Sequence, residues 1–230
     1  MTFLTIGHRG VMGVEPENTL RSFLRAERSG MDVIALDLRL SKDGALVAVH
    51  DPDVDRTTDG SGAVADLTLD ELRALDAGQG ERVPVLDEVL DAVHSPLLVS
   101  VGDQASVAAL AALLRRRDLA SRVEVGSAHE VVLAETARLL PGVRTTLYAS
   151  PRVGDTEGVV HRAQAVGAAT VATDVRLVTL AAVEAAHAAG LRMTGLGVDT
   201  LDLLRLARAL CLDGVVTDFP EIRSTGRFTA

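Results

Sequence analysis

The segment FLTIGHRGVMGVEPENTLRSFLRAERSGMDVIALDL, residues 3–38, holds one complete strand–helix–strand unit. Its first apolar run, Phe3-Leu4-Thr5-Ile6, has strand composition and stops at the polar island His8-Arg9-Gly10. Leu20, Phe23, Leu24 and Glu27 then keep helical spacing, with an N-cap expected at Asn18 and a stop at Gly30. Val33–Leu38 is the second strand. Further along, strands are expected at 97–101, 123–125, 143–147, 170–172, 191–194 and 214–217, with Ala- and Leu-rich helical patterns between them. Together these make about eight βα units, which fit an α/β fold closed as a (β/α)8 TIM barrel better than an open sheet.

One unit is longer than the others. Ala45–Val49 follows the second strand too closely for a crossover helix, so it reads as a hairpin-like excursion after the turn Lys42-Asp43-Gly44, a small insertion after strand 2. Thr68-Leu69-Asp70-Glu71 has capping-box spacing for a helix through Leu75, and Val85–Val93 supplies another helix. The expected organisation is a single domain over residues 1–230, with its site at the carboxyl ends of the strands. His8, Arg9, Asp37 and Asp218 fall at such ends, and His50-Asp51-Pro52 ends the excursion.

Composition narrows the function classes. With 47% hydrophobic and 24% charged residues, 230 residues suffice for one large core. Only 2% are aromatic and the formal net charge is -9, so the chain lacks stacking platforms and repels polyanions, which argues against nucleic acid as a partner. No run approaches the ~18 apolar residues of a membrane span and no signal-like segment is seen, so the expectation is a soluble, cytoplasmic protein. Cys211 is alone, which rules out an internal disulfide, and its apolar surroundings predict a buried thiol. Arg115-Arg116-Arg117 reads as a solvated helix end, and His94, His129, His161 and His187 as surface histidines.

The motifs come in a definite order: His8-Arg9-Gly10, Pro16-Glu17-Asn18-Thr19-Leu20, Asp37, Ser41-Lys42-Asp43-Gly44, and His50-Asp51-Pro52 with Asp55-Arg56-Thr57-Thr58. Ala65-Asp66-Leu67-Thr68, Glu71-Leu72-Arg73, Val83-Pro84-Val85-Leu86 and Gly214-Val215-Val216-Thr217-Asp218-Phe219-Pro220 follow. In this series the chain resembles the glycerophosphodiester phosphodiesterase family over essentially its whole length. The resemblance implies a barrel that hydrolyses phosphodiesters of the glycerol-3-phosphate-alcohol type. It implies His8 and His50 as the catalytic acid/base pair, Arg9 as substrate-binding on the phosphate, and Asp37 as a ligand of a divalent metal, Mg or Ca. The chemistry needs such parts, because a reacting phosphodiester gathers negative charge on its oxygens while protons move.

Three positions of the metal and phosphate site depart from that pattern, and Gly195-Leu196-Gly197-Val198-Asp199 stands where the family commonly has an aromatic and an asparagine. Ala35 stands where the family has the Glu of a Glu-x-Asp pair, and Ser100 and Gly102 stand where it has a Glu and a phosphate-binding Lys. Residues 35 and 37 share one face of a strand, so Leu36 cannot replace the missing carboxylate. A hard cation on Asp37 and waters alone would be weakly held. Asp103, Asp51 and Glu17 are the acids near enough in sequence to rebuild the site; otherwise the site is metal-free. Asp37 could instead pair with Arg9 or Arg39, Asp55 with Arg56, and Asp218 with backbone at the end of the last strand. A small-molecule phosphodiester or another anion is the expected partner. Three functions follow: a phosphodiesterase with a depleted metal site, a metal-independent enzyme on the same barrel, or a non-catalytic anion binder.

Overall fold

Alternating strands and helices close on themselves. A computed structural model of the chain describes residues 2–150 and 156–224. The strands are β1 (Leu4–Gly7), β2 (Val33–Leu40), β3 (Leu46–Ala48), β4 (Leu97–Val101), β5 (Val123–Ser127), β6 (Thr145–Tyr148), β7 (Thr170–Asp174), β8 (Arg192–Leu196) and β9 (Gly214–Thr217). The helices are α1 (Leu20–Arg28), α2 (Leu69–Arg73), α3 (Leu86–Ala92), α4 (Gln104–Arg117), α5 (Glu130–Leu139), α6 (Thr156–Ala165), α7 (Leu180–Ala188), α8 (Leu201–Ala209) and α9 (Glu221–Ser224). All strands but β3 run parallel, and β1 pairs with both β9 and β2, which closes an eight-stranded barrel. β3 pairs antiparallel with the end of β2, the excursion expected from the Lys42–Gly44 turn.

Two packed layers hold the barrel. Outward residues such as Ile34, Leu36, Val99 and Val125 meet Phe23, Leu86, Leu110 and Leu114 of the helices, and all are buried. A second cluster joins Val171, Val183, Met193 and Val215 on the opposite side. Each fully buried side chain of this kind contributes roughly 1.5–3 kcal/mol of apolar transfer free energy. The excursion has a core of its own, Val47, Val49, Val54, Val64, Leu72 and Val83, closed by α2, whose Thr68–Glu71 capping box forms as expected. Inside the barrel Ile6, Ala35, Leu98 and Val216 form a small apolar floor. Below it, Glu124 bonds Thr146, Thr170 and Arg192, a polar plug at the amino-terminal end.

Some local expectations are corrected. Thr19, not Asn18, caps α1, accepting a hydrogen bond from Ser22 N. Cys211 is exposed, because it follows α8 in a left-handed turn at φ 58° that turns its side chain away from the core. Arg116 and Arg117 are not simply solvated: they pair with Asp87, and Arg117 also with Asp91. Among the described residues no helix is long and apolar enough to cross a membrane.

Candidate active site

The turn after β1 sets the site. Arg9 and Gly10 both have positive φ, 49° and 86°. A Cβ at residue 10 would stand 2.2 Å from the Ser22 Oγ, so only glycine fits there. That Oγ donates to Arg9 O at 3.0 Å and accepts from Val11 N at 2.8 Å, which locks the strained turn to α1. Asn18, also at positive φ, is drawn to β2: it donates to Asp37 Oδ2 and accepts from Asp37 N, both at 3.1 Å. This tie is why Asn18 leaves the capping position to Thr19.

His8 and His50 are each held by an aspartate on Nδ1. His8 bonds Asp218 at 2.7 Å, because the register Gly7↔Thr217 brings the next residues of β1 and β9 side by side. The Asp218 side chain therefore holds His8, not the strand backbone; its own N–H goes to Asp199 at 2.8 Å. His50 bonds Asp51 at 2.6 Å, and two hydrogen bonds from Arg39 fix the His50 carbonyl. A carboxylate only accepts, so each Nδ1 donates and each Nε2 is left for the cavity.

Carboxylates and guanidiniums surround the pair. Arg9 NH1 bonds Glu17 at 2.7 Å, and its Nε stands 3.0 Å from Asp37 Oδ2. That approach lies off the N–H direction, so Nε is a buried donor without a hydrogen bond. Arg56 bridges both carboxylates, with bonds of 2.7 and 2.8 Å to Glu17 and 2.5 Å to Asp51. The expected Asp55–Arg56 pair does not form; Asp55 instead accepts from Gly62 N. Burial pushes the Glu17 carboxyl up, but hydrogen bonds from Arg56 and the Arg9 charge outweigh it and hold the group below its ordinary range. Bonds from Arg56, then His50, hold Asp51 far below that range.

His8, Arg9, Asp37 and His50 line one cavity of about 180 Å³, floored by Ala35, Leu98 and Val216. The four candidate residues are therefore brought together. A second cavity of about 210 Å³ adjoins it along Asp37, His50, Ser100 and Tyr148 and extends to Gly102 and His129. Sequence reading missed Tyr148, the only tyrosine of the chain, although it ends a strand. His94, His129, His161 and His187 are exposed as expected.

The family model for the glycerophosphoryl diester phosphodiesterase family matches residues 8–222. The chain belongs to that family. A 29% identical glycerophosphodiester phosphodiesterase of Bacillus altitudinis aligns over 93% of this chain and 94% of its own length. Bacillus subtilis YhdW is 48% identical over 99 residues, 40% of this chain and only 41% of that protein. A phosphodiesterase of Oleispira antarctica, solved with the product sn-glycerol-3-phosphate, shares 26% identity at TM-score 0.87, over 96% of this chain and 95% of that one.

Glycerophosphoryl diester phosphodiesterases generally use divalent metal ions. The residues around Asp37 do not fit one. Its Oδ2 already accepts from Asn18 and faces Arg9, Ala35 offers no ligand, and Ser100, its register partner on β4, is a hydroxyl bonded to Tyr148. Asp103 is not spare either, because it caps α4 through Ser106. Among the described residues no three His, Cys, Asp or Glu side chains cluster as metal ligands.

Proposed function

We propose that this barrel hydrolyses a phosphoric diester, with His8 and His50 exchanging protons and Arg9 holding the phosphate. The grouping of His8, Arg9 and His50 around one cavity, each imidazole held by an aspartate on Nδ1, carries this reading. One imidazole Nε2 takes a proton from the attacking water as its oxygen bonds to phosphorus. The other gives a proton to the alcohol oxygen as its bond to phosphorus breaks. The Arg9 guanidinium stabilises charge on the non-bridging oxygens; it is preorganised by Glu17 and the Ser22-locked turn. No step runs through a metal, since the donors at Asp37 do not suit one. Residues 1–230 act as a single domain in this reading, with a small anionic phosphoester as ligand.

The test is phosphorus NMR of a glycerophosphodiester incubated with wild type, His8→Ala and His50→Ala. Wild type is expected to convert diester to monoester, and each variant to lose at least about a hundredfold in rate, the usual lower bound for general acid–base assistance. Undiminished turnover in either variant rejects the histidine roles. Binding of inorganic phosphate without any turnover by wild type favours a non-catalytic anion binder.

A further inference from the structure

Three features outside the proton-transfer pair invite a role: the polar plug at Glu124, the groove along Leu46, Leu69 and Leu113, and the hydroxyl pair of Tyr148 and Ser100. The plug is satisfied by its own partners, and nothing shows what would cover the groove. The hydroxyl pair lies on the wall shared by both cavities.

Its construction is specific. Tyr148 ends β6 and Ser100 lies on β4, so the ring must cross the intervening strand β5 to reach it. It does so over Gly126, where an added Cβ would lie 2.4 Å from the Tyr148 hydroxyl. The two oxygens stand 2.9 Å apart. Ser100 is the register partner of Asp37, so the pair continues the line of polar groups from Asp37 along the inner wall.

Two hydroxyls carry two protons, and their mutual hydrogen bond uses one. The other is a neutral donor on a wall shared with Asp37, where an anion otherwise meets a carboxylate. Burial pushes the Tyr148 hydroxyl well above its ordinary pKa; the Ser100 bond works the other way, and the charges of Asp37 and Glu124 add to the rise. The phenol therefore stays protonated wherever the protein is folded and working.

We infer that the Tyr148–Ser100 hydroxyl pair is a binding element for a phosphoryl oxygen, placed on the partition between the two cavities. The phosphoryl group then spans the partition, with the Arg9 guanidinium on one side and the hydroxyl pair on the other, and the two ester arms enter separate cavities. The inference rests on the phosphodiester reading and adds residues to it.

The chain offers its own reporter, because Tyr148 is its only tyrosine and it has no tryptophan. Ultraviolet difference absorption and intrinsic fluorescence therefore report on this hydroxyl alone. Inorganic phosphate and sn-glycerol-3-phosphate are titrated into wild type, Tyr148→Phe and Ser100→Ala, with affinity read by calorimetry and folding by thermal melting. The expected results are a tyrosine spectral change on ligand addition to wild type and about a tenfold weaker affinity in either variant, the scale of one lost hydrogen bond. The double variant should be no weaker than the worse single one, since the pair acts as a unit. Phenylalanine keeps the ring over Gly126, so the fold should hold; a variant that melts early is replaced by Ser100→Ala, which removes no ring. Wild-type affinity in both variants, or no tyrosine signal on saturation, overturns the inference while leaving the function intact. Failure of wild type to bind either ligand overturns both.

Discussion

Replacing Asp218 with asparagine isolates what the carboxylate does for His8. The carboxylate accepts from Nδ1 at 2.7 Å and so leaves Nε2 free for the proton transfer proposed for it. An amide can present its NH2 instead, which allows the opposite tautomer and removes the charge that stabilises an imidazolium as the proton arrives. A hydrogen bond to a charged group is worth roughly 1.5–3 kcal/mol. The side chains of His8 and Asp218 are 36% and 28% exposed, so the lower end applies. That corresponds to about a tenfold to thirtyfold loss of turnover. The backbone at residue 218 should not move, because its N–H is held by Asp199. The assay is kcat/KM for a glycerophosphodiester beside the melting temperature of both proteins. Unchanged kcat/KM at unchanged stability would refute the coupling of His8 to Asp218, and a loss explained wholly by unfolding would give it no support.

Other substitutions test the surrounding charges. Glu17→Gln removes the negative charge and one of the two acceptor oxygens that Arg9 and Arg56 share, and should cost about 1–3 kcal/mol at pH 7. Because the Glu17 carboxyl lies below its ordinary range when folded, the wild-type advantage is full above about pH 4.5 and fades as pH falls through the folded value. Melting curves at pH 7 and pH 3 check the sign, and a gap that widens on acidification contradicts it. Gly126→Ala should push the Tyr148 ring off Ser100, changing the tyrosine fluorescence and destabilising by about 1–3 kcal/mol, as overpacking does; an unaltered spectrum would show that the ring has room. Ala35→Glu with Ser100→Glu and Gly102→Lys should create calcium or magnesium binding that wild type lacks in calorimetry, since the two added carboxylates would stand beside Asp37, on its own strand and at its register partner, while a Cβ at residue 102 meets nothing within 4 Å. Equal metal affinity in wild type would reject the reading of Asp37.

Much of the barrel was legible because its strands are short β-branched runs separated by helical spacing, and the Lys42–Gly44 turn marked the one antiparallel excursion. The site was legible in its parts and not in its pairings. His8, Arg9, Asp37 and His50 stood at strand or excursion ends, but the His8–Asp218 bond joins residues 210 apart and depends on how β1 meets β9. Asn18 and Thr19 are both good capping residues, and only the bond to Asp37 decides between them. Asp103 carried a usable signal, since Ser106 follows at the spacing of a cap. Tyr148 carried less: a lone tyrosine at a strand end says little until Gly126 and Ser100 are seen beneath it.

Turnover of a glycerophosphodiester in the presence of excess chelator, followed by phosphorus NMR in wild type and His8→Ala, tests the central claim most directly. The expected result is monoester produced by wild type at a rate the chelator does not change, and none above background from His8→Ala. Turnover abolished by the chelator, or equal in the two proteins, would contradict a site run by oriented imidazoles and Arg9.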